Sequence, residues 1–134
     1  MNFTISTTRK QEIIDITGKV DEIVRKSKIK IGLCHVFVRH STASIIINEN
    51  YDPNICVDFL NALNKAFPDK SNYLHDQVDG NAGAHIKAAI LGPGKTVPIK
   101  NGKLQLGKWQ SIMLVELDGP RTNREIEVNV LKIS

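Results

Sequence analysis

Residues 75–92, HDQVDGNAGAHIKAAILG, concentrate histidine and carboxylate side chains directly before an apolar helical pattern. His75 and Asp79 are four residues apart, and His85 lies six residues further on, in the first turn of the predicted helix. The amides at a helix N-terminus disfavour an imidazolium, and a neutral imidazole is a common metal ligand. With His40, at the end of a strand-like run, these histidines predict a divalent metal site, with zinc preferred because three imidazoles leave an open coordination position.

A second ion is compatible with the same region. Magnesium prefers oxygen ligands, so Asp79 or Glu49 would have to serve if Mg²⁺ were the working ion. Asp79 is otherwise predicted to act as a general base or to orient an imidazole through its free N–H. The alternative is that the histidines only form hydrogen bonds around helix caps, with Asp79 and Asn81 capping the helix. The spacing matches no named zinc motif such as HExxH, so both interpretations stay open.

Three further polar segments fall at the ends of predicted elements, where rigid neighbours hold them and solvent can reach them: RHSTAS (39–44), NEN (48–50) and ELDGPRTNR (116–124). Arg121, in the turn DGPR, could clamp a phosphate through its planar guanidinium. Its alternative role is an ion pair with Asp118 or Glu116. Ser41 beside His40 could suggest a nucleophile pair, but neighbours in sequence do not define a catalytic triad.

The elements that position these segments alternate along the chain. NFTIST and QEIIDIT are predicted to pair as strands around TRK, and Thr17 is predicted to cap a short helix. A strand over 31–39, the strand SIIIN, and a helix opened by Asp52 and Pro53 follow. The stretch 81–91 predicts a third helix. TVPIKNGKLQL predicts a hairpin with an Asn-Gly turn, and SIMLVELD and REIEVNVLKI are predicted to pair around GPRTN.

This order predicts one α+β domain over residues 1–134, with a curled, mixed but mostly antiparallel sheet and about three helices. The alternation in SIMLVEL places apolar residues on both faces of that strand: Ile112, Leu114 and Glu116 share one face, and Met113, Val115 and Leu117 share the other. Such a strand needs cover on both sides. Either the sheet curls toward a barrel or neighbouring subunits cover it, and we therefore predict a homo-oligomer.

Composition limits the class of partner and the compartment. The net charge is +4, from 18 basic and 14 acidic residues, which favours anionic partners such as a phosphorylated metabolite or a nucleic acid. Aromatic residues make up only 5%, which disfavours binding of single-stranded nucleic acid by stacking. No apolar run approaches the ~20 residues of a membrane span. The two cysteines lack CxxC spacing and nothing resembles a signal peptide, so we expect free thiols and a cytoplasmic protein.

Three segments in this order, RHSTASIIINEN, HDQVDGNAGAHIKAAILG and PIKNGKLQLGKWQSIMLVELDGPR, together resemble the YjbQ family, often called secondary thiamine-phosphate synthases. The resemblance covers about residues 3–133. It implies a homotrimeric α+β fold and a polar site rich in His, Asp and Glu. It also implies an activity that joins hydroxymethylpyrimidine diphosphate to thiazole phosphate.

The resemblance also implies which residues form the site. Asp79, Glu49 and Arg121 are the expected catalytic residues, and the expected substrate-binding residues are Ser41, Asn48, Lys87, Trp109 and Gln110. At residue 108 this chain has LGKWQ where the family usually has LGTWQ, so a cation replaces a hydroxyl. The expected function is a metal-assisted enzyme in which the metal, Lys87 and Arg121 neutralise a departing diphosphate while a pyrimidine stacks on Trp109. The alternative is a non-catalytic homotrimeric module that binds a phosphorylated metabolite.

Overall fold

The computed structural model describes residues 1–134 and contains eight strands, three α-helices and one 3₁₀ turn. The strands are β1 (Asn2–Ile5), β2 (Glu12–Asp15), β3 (Ile31–Val38), β4 (Ala43–Asn48), β5 (Gly94–Lys100), β6 (Lys103–Leu104), β7 (Ser111–Glu116) and β8 (Arg124–Lys132). The helices are α1 (Thr17–Ser27), α2 (Pro53–Ala66) and α3 (Ala82–Leu91), and the 3₁₀ turn is Leu74–Gln77. The predicted α+β class is confirmed.

The strands form two sheets in which every pairing is antiparallel. One sheet has the order β1-β8-β3-β5-β6 and the other has the order β2-β7-β4. Two predicted pairings are therefore wrong, because β1 pairs with β8 rather than β2, and β7 pairs with β2 and β4 rather than β8. The connections after β1 and after β7 cross from one sheet to the other and bond to each other, with the amide of Thr7 donating to the carbonyl of Arg121 at 2.7 Å.

Two local signals in the sequence are confirmed. Asn101 and Gly102 both have positive φ, at 54° and 76°, which is what a two-residue hairpin turn of type I′ requires. Asp52 caps α2 by accepting a hydrogen bond from the amide of Asn54 at 2.9 Å, with Pro53 as the first helical residue. Both the turn and the helix cap are determined by residues next to each other in the sequence, so tertiary contacts have little influence on them.

Strand β7 separates two apolar clusters. Ile112 and Leu114 lie in the cluster between the two sheets. Met113, Val115 and Leu117 lie in a second cluster, which α2 and α3 cover. Helices of the same chain thus cover the face of β7 for which a neighbouring subunit was one of the two expected covers, so β7 itself does not require a homo-oligomer.

Two predicted helix caps are also wrong. Thr17 does not cap α1, since its hydroxyl instead accepts from the amide of Ile112 at 2.8 Å and so joins the helix to β7. Asn81 precedes α3 without capping it. Asp76 replaces it by accepting from the amide of Ala82 at 3.0 Å. The side chain of Asn81 is thereby free for other contacts. No helix combines the length and apolar character needed to cross a bilayer, and both cysteines are free.

Candidate functional site

A cavity of about 400 Å³ opens where β3 ends, where α3 begins and where the chain leaves β7. Its walls come from three of the polar segments identified in the sequence, and none of its lining residues is hydrophobic: His40, Ser41, Thr42, Asn81, His85, Arg121, Thr122, Asn123 and Arg124. The antiparallel pairing of β4 with β7 brings two of these segments together. Ala43, at the start of β4, lies opposite Glu116, at the end of β7, so the segment before β4 meets the segment after β7. We call this space the arginine cavity.

A buried ion pair forms the floor of the arginine cavity. Glu116 is fully buried and Arg124 is 3% exposed. The Nε of Arg124 donates to Oε1 of Glu116 at 2.9 Å and its Nη2 donates to Oε2. The hydroxyl of Thr7 donates to Oε1 at 2.7 Å, and the amide of Asp118 donates to Oε2 at 3.1 Å. Burial alone raises the pKa of Glu116, but these hydrogen bonds and the guanidinium outweigh it and hold the pKa below its ordinary value.

Each of the two arginines keeps one guanidinium nitrogen unpaired. Arg124 uses Nε and Nη2 on Glu116 and Thr42, and Arg121 uses Nε and Nη2 on Asp118 at 2.9 Å each. Neither Nη1 has a partner within the chain. Arg124 is buried, and no buried side-chain nitrogen or oxygen lacks a partner, so its Nη1 reaches solvent. The side chain of Arg121 is half exposed, and both arginines line the cavity. Two guanidinium groups held by the chain therefore border one small space, an arrangement suited to a phosphate.

His40 contributes a third donor. Its Nε2 accepts a hydrogen bond from the amide of Glu125 at 2.9 Å. A neutral imidazole has one N–H, so Nδ1 must carry the proton when Nε2 is an acceptor. Burial, and then the positive charge of Arg124, lower the pKa of His40 below its ordinary value. His40 is thus held neutral as an Nδ1–H donor at the cavity wall.

The lowered pKa of His40 gives a pH-dependent prediction. A folded-state pKa below 6.5 means that His40 supports stability fully above pH 6.5 and loses this contribution as the pH falls toward the folded-state value. We expect urea unfolding of the wild type to show a larger loss of stability between pH 7 and pH 5 than unfolding of His40→Gln, whose amide oxygen can still accept from Glu125. His35→Gln is the matched control and should keep the wild-type slope. Equal slopes for the wild type and His40→Gln would contradict the assigned protonation state.

Asn81 links the remaining histidines to the cavity. Its amide nitrogen donates to Oδ2 of Asp118 at 3.0 Å, which leaves its oxygen to accept from Nε2 of His75 at 3.0 Å. The rings of His75 and His85 meet edge to face with centroids 5.0 Å apart. Asp79 was the predicted partner that orients an imidazole, but its carboxylate lies 3.6 Å from Nε2 of His75. Asn81 makes the shorter contact and therefore takes that role.

The histidines do not fit the predicted metal site. No three His, Cys, Asp or Glu side chains lie close enough together to hold a metal ion. His40 has one nitrogen occupied by a backbone amide and the other protonated, so it offers no lone pair. Nε2 of His75 donates to Asn81, so only its Nδ1 keeps a lone pair. We therefore derive no step through zinc, and Mg²⁺ enters below only as a counterion carried by a diphosphate.

Most of the residues expected at the site, apart from Lys87, His75 and Asp79, separate into two groups. His40, Ser41, His85 and Arg121 line the arginine cavity. The other group lies at the opposite end of β4 and β7, where Asn48 is paired with Ser111: Asn48, Glu49, Trp109 and Gln110. Ser111 and Glu116 are five residue steps apart along β7, which corresponds to about 17 Å of extended strand.

Lys87 and Trp109 depart from their expected roles within one chain. Lys87 is completely buried, and its ammonium donates to Asp69 at 2.5 Å. This pair ties α3 to the segment after α2, so Lys87 does not reach the arginine cavity. Trp109 is 54% exposed at the far end of the small sheet and cannot stack on a ring bound in the cavity of its own subunit.

Arg124 is the main functional residue that sequence reasoning missed. It occupies the same face of β8 as the buried Ile126 and Val128, just as Glu116 shares a face of β7 with Ile112 and Leu114. A charged residue that ends an apolar strand face must be paired when it is buried. Glu116 and Arg124 are two such residues, of opposite charge, on either side of the polar turn between β7 and β8. Their positions in the sequence could have predicted this ion pair.

The two sheets, the three helices and the cavity define a small α+β protein with one polar pocket lined by two arginines. The chain belongs to the family described as UPF0047 protein YjbQ-like, whose model matches residues 1–133. A UPF0047 protein of Methanothermobacter thermautotrophicus is 44% identical over 126 residues, which are 94% of this chain and 87% of that protein.

Solved structures agree with this assignment. A YjbQ/UPF0047 family protein from Clostridium acetobutylicum has 42% identity and a TM-score of 0.93, with 98% of this chain and 99% of that chain covered. A protein of unknown function from Sulfolobus solfataricus has 42% identity and a TM-score of 0.96, with 98% and 95% covered. These relatives place the chain in the family and name no substrate.

Proposed function

We propose that this protein binds the phosphate groups of a phosphorylated small molecule in the arginine cavity and acts on it as a thiamine-phosphate synthase-like transferase. One observation carries the proposal: Arg121 and Arg124 line the same cavity, and each has two guanidinium nitrogens held by the chain and one nitrogen without a partner. Donors fixed before the ligand arrives do not have to be reorganised during binding or reaction.

The local charge balance supports an anionic ligand. Lys10, Arg121 and Arg124 provide three cations, and Asp118 and Glu116 provide two carboxylates. Both carboxylates already accept several hydrogen bonds from the protein. The excess positive charge and the unpaired donors therefore remain available to a ligand that brings its own acceptors.

In the proposed reaction, the thiazole nitrogen attacks the methylene carbon of hydroxymethylpyrimidine diphosphate. A C–N bond forms, the C–O bond to diphosphate breaks, and the electron pair leaves with the diphosphate. The free nitrogens of Arg121 and Arg124, and the Nδ1–H of His40, would stabilise the charge that develops on the leaving group. Ser41 would add a hydroxyl donor from the rim. No electron is gained or lost, so no redox cofactor is required.

Binding without turnover is the second candidate. It is favoured by the chemistry of the cavity, whose best defined groups, Arg121, Arg124 and the Nδ1–H of His40, are all hydrogen-bond donors. A set of donors can hold a phosphate without providing a general base. This candidate is the phosphometabolite-binding module that the sequence left open.

The test combines calorimetry with a product assay. Purified protein is titrated with inorganic diphosphate, and separately incubated with both precursors and Mg²⁺ while thiamine phosphate is measured. Binding together with product that is lost in Arg121→Ala supports the transferase. Binding without product supports the module. No heat with diphosphate or with either precursor would overturn the proposal.

A homotrimer and a cytoplasmic location belong to the same proposal. The free thiols Cys34 and Cys56 favour a reducing compartment. Exposed apolar side chains, among them Leu74 at 83% and Val78 at 77% exposure, favour contact with other subunits. Light scattering that shows a stable monomer at micromolar concentration would reject the trimer.

A further inference from the structure

An apolar groove of about 450 Å³ adjoins the arginine cavity, with His85 in the wall of both. It lies between the 3₁₀ turn and α3 and is lined by Tyr73, Leu74, His75, Ala82, His85 and Ile86. Leu74 is 83% exposed at its edge. A groove this open leaves apolar surface in water, which is unfavourable unless something covers it.

A protruding aromatic pair lies at the other end of the small sheet. Tyr51 and Trp109 meet edge to face with ring centroids 5.3 Å apart, and the ammonium of Lys108 lies 5.0 Å from the centroid of the Trp109 ring. Tyr51 is 79% exposed. Trp109 precedes β7 and Tyr51 follows β4, at the ends of these strands furthest from Glu116. The pair is a rigid, amphipathic projection of the kind that anchors interfaces.

We propose that a second copy of this chain occupies the groove, with the Tyr51–Trp109 pair of one copy seated in the groove of the next. The seated pair places Trp109 and Lys108 beside the arginine cavity of the neighbouring copy. The binding site is therefore composite: one subunit supplies the arginines, and the next supplies the aromatic surface and a cation. This inference rests on the proposed function only for the identity of the ligand.

Charge complementarity favours this occupant. The two surfaces are different patches of the same chain, so the contact joins the groove of one copy to the aromatic pair of another. A head-to-tail series of such contacts forms a ring where the rotation between copies closes. Lys108 directly precedes Trp109 of the aromatic pair, and Asp76 and Asp79 follow Leu74 at the edge of the groove. The contact thus brings opposite charges together at its rim.

Disulfide trapping tests the contact without any ligand. In the double variant Leu74→Cys/Lys108→Cys, mild oxidation should produce covalently linked oligomers on a non-reducing gel. Each single variant should stay uncrosslinked, because a head-to-tail contact does not bring residue 74 to residue 74 or residue 108 to residue 108. The same size distribution in the single variants, or no crosslinked species in the double variant, would overturn the proposed contact.

Subunit mixing tests the composite site. Trp109→Ala and Arg121→Ala should each bind diphosphate weakly, and co-refolding them should restore wild-type affinity at about a quarter of the sites of a randomly mixed ring. Mixing Arg121→Ala with the double variant Trp109→Ala/Arg121→Ala is the control and should restore none. If disulfide crosslinking succeeds and the wild type binds diphosphate, but the mixed sample recovers no sites of wild-type affinity, Trp109 does not complete the site. If trapping succeeds and the wild type binds no diphosphate, the contact stands and the proposed function fails instead.

Discussion

Replacing Arg124 with methionine is expected to lower the free energy of unfolding by about 3–5 kcal/mol, the cost of leaving one partner of a buried ion pair alone. The physical reason is Glu116, which is fully buried and would keep only the donors from Thr7 and from the amide of Asp118. Urea unfolding followed by circular dichroism at pH 7 measures the change.

The double variant Glu116→Leu/Arg124→Met separates this effect from simple loss of packing. Because it removes both charges, it should recover most of the stability lost in Arg124→Met. It should also bind diphosphate more weakly than the wild type, since the guanidinium is gone. A stability of Arg124→Met within about 0.5 kcal/mol of the wild type, the range of an ordinary surface substitution, would contradict the buried pair.

The stability of the protein at acid pH should also depend on the Glu116–Arg124 ion pair. The pKa of Glu116 is held below its ordinary 4.5 in the folded protein, so its contribution is present above pH 4.5 and is lost as the pH falls through the lower folded-state value. Asp118 has a lowered pKa for a similar reason: burial raises it, but the donors Asn81, Lys10 and Arg121 outweigh burial. The wild type should therefore lose more stability below pH 4.5 than the double variant does.

Replacing Arg121 with alanine is expected to lower the affinity for inorganic diphosphate by about 10- to 100-fold, since a hydrogen bond to a charged group contributes about 1.5–3 kcal/mol. The fold should survive, because the side chain of Arg121 is half exposed and Asp118 keeps Lys10 and Asn81 as partners. Isothermal titration calorimetry at fixed ionic strength measures the affinity.

Lys26→Ala is the matched control for Arg121→Ala. It removes one positive charge from α1, where Lys26 pairs with Glu22, and so reproduces any effect of net charge alone. It should leave diphosphate affinity unchanged. An equal loss of affinity in both variants would mean that general electrostatic attraction, and not the arginine cavity, holds the anion.

The sequence predicted the elements better than their partners. The Asn-Gly turn and the Asp52 cap depend on local backbone chemistry, and both were predicted correctly. The pairing of β1 and β7 was predicted wrongly, because neighbours in sequence were assumed to pair. The two apolar faces of β7 in fact require two covering layers, and the chain satisfies this by sending β8 to the other sheet.

The sequence predicted the segments of the site better than the hydrogen bonds within it. His40, Ser41, His85 and Arg121 do meet in one cavity. The sequence could not show which histidine nitrogens are free to bind a metal, because this depends on hydrogen bonds that no sequence pattern displays: the amide of Glu125 occupies Nε2 of His40, and Asn81 occupies Nε2 of His75. The buried Glu116–Arg124 pair joins two strands in different sheets, so its partners became evident only with the topology.

A crystal structure of the protein with inorganic diphosphate tests the central claim most directly. We expect diphosphate in the arginine cavity, with its oxygens about 2.7–3.2 Å from Nη1 of Arg121, Nη1 of Arg124 and Nδ1 of His40. Diphosphate bound instead at the other basic depression, formed by Arg25, Lys28, Lys30 and Lys103, with only water between the two arginines, would contradict it.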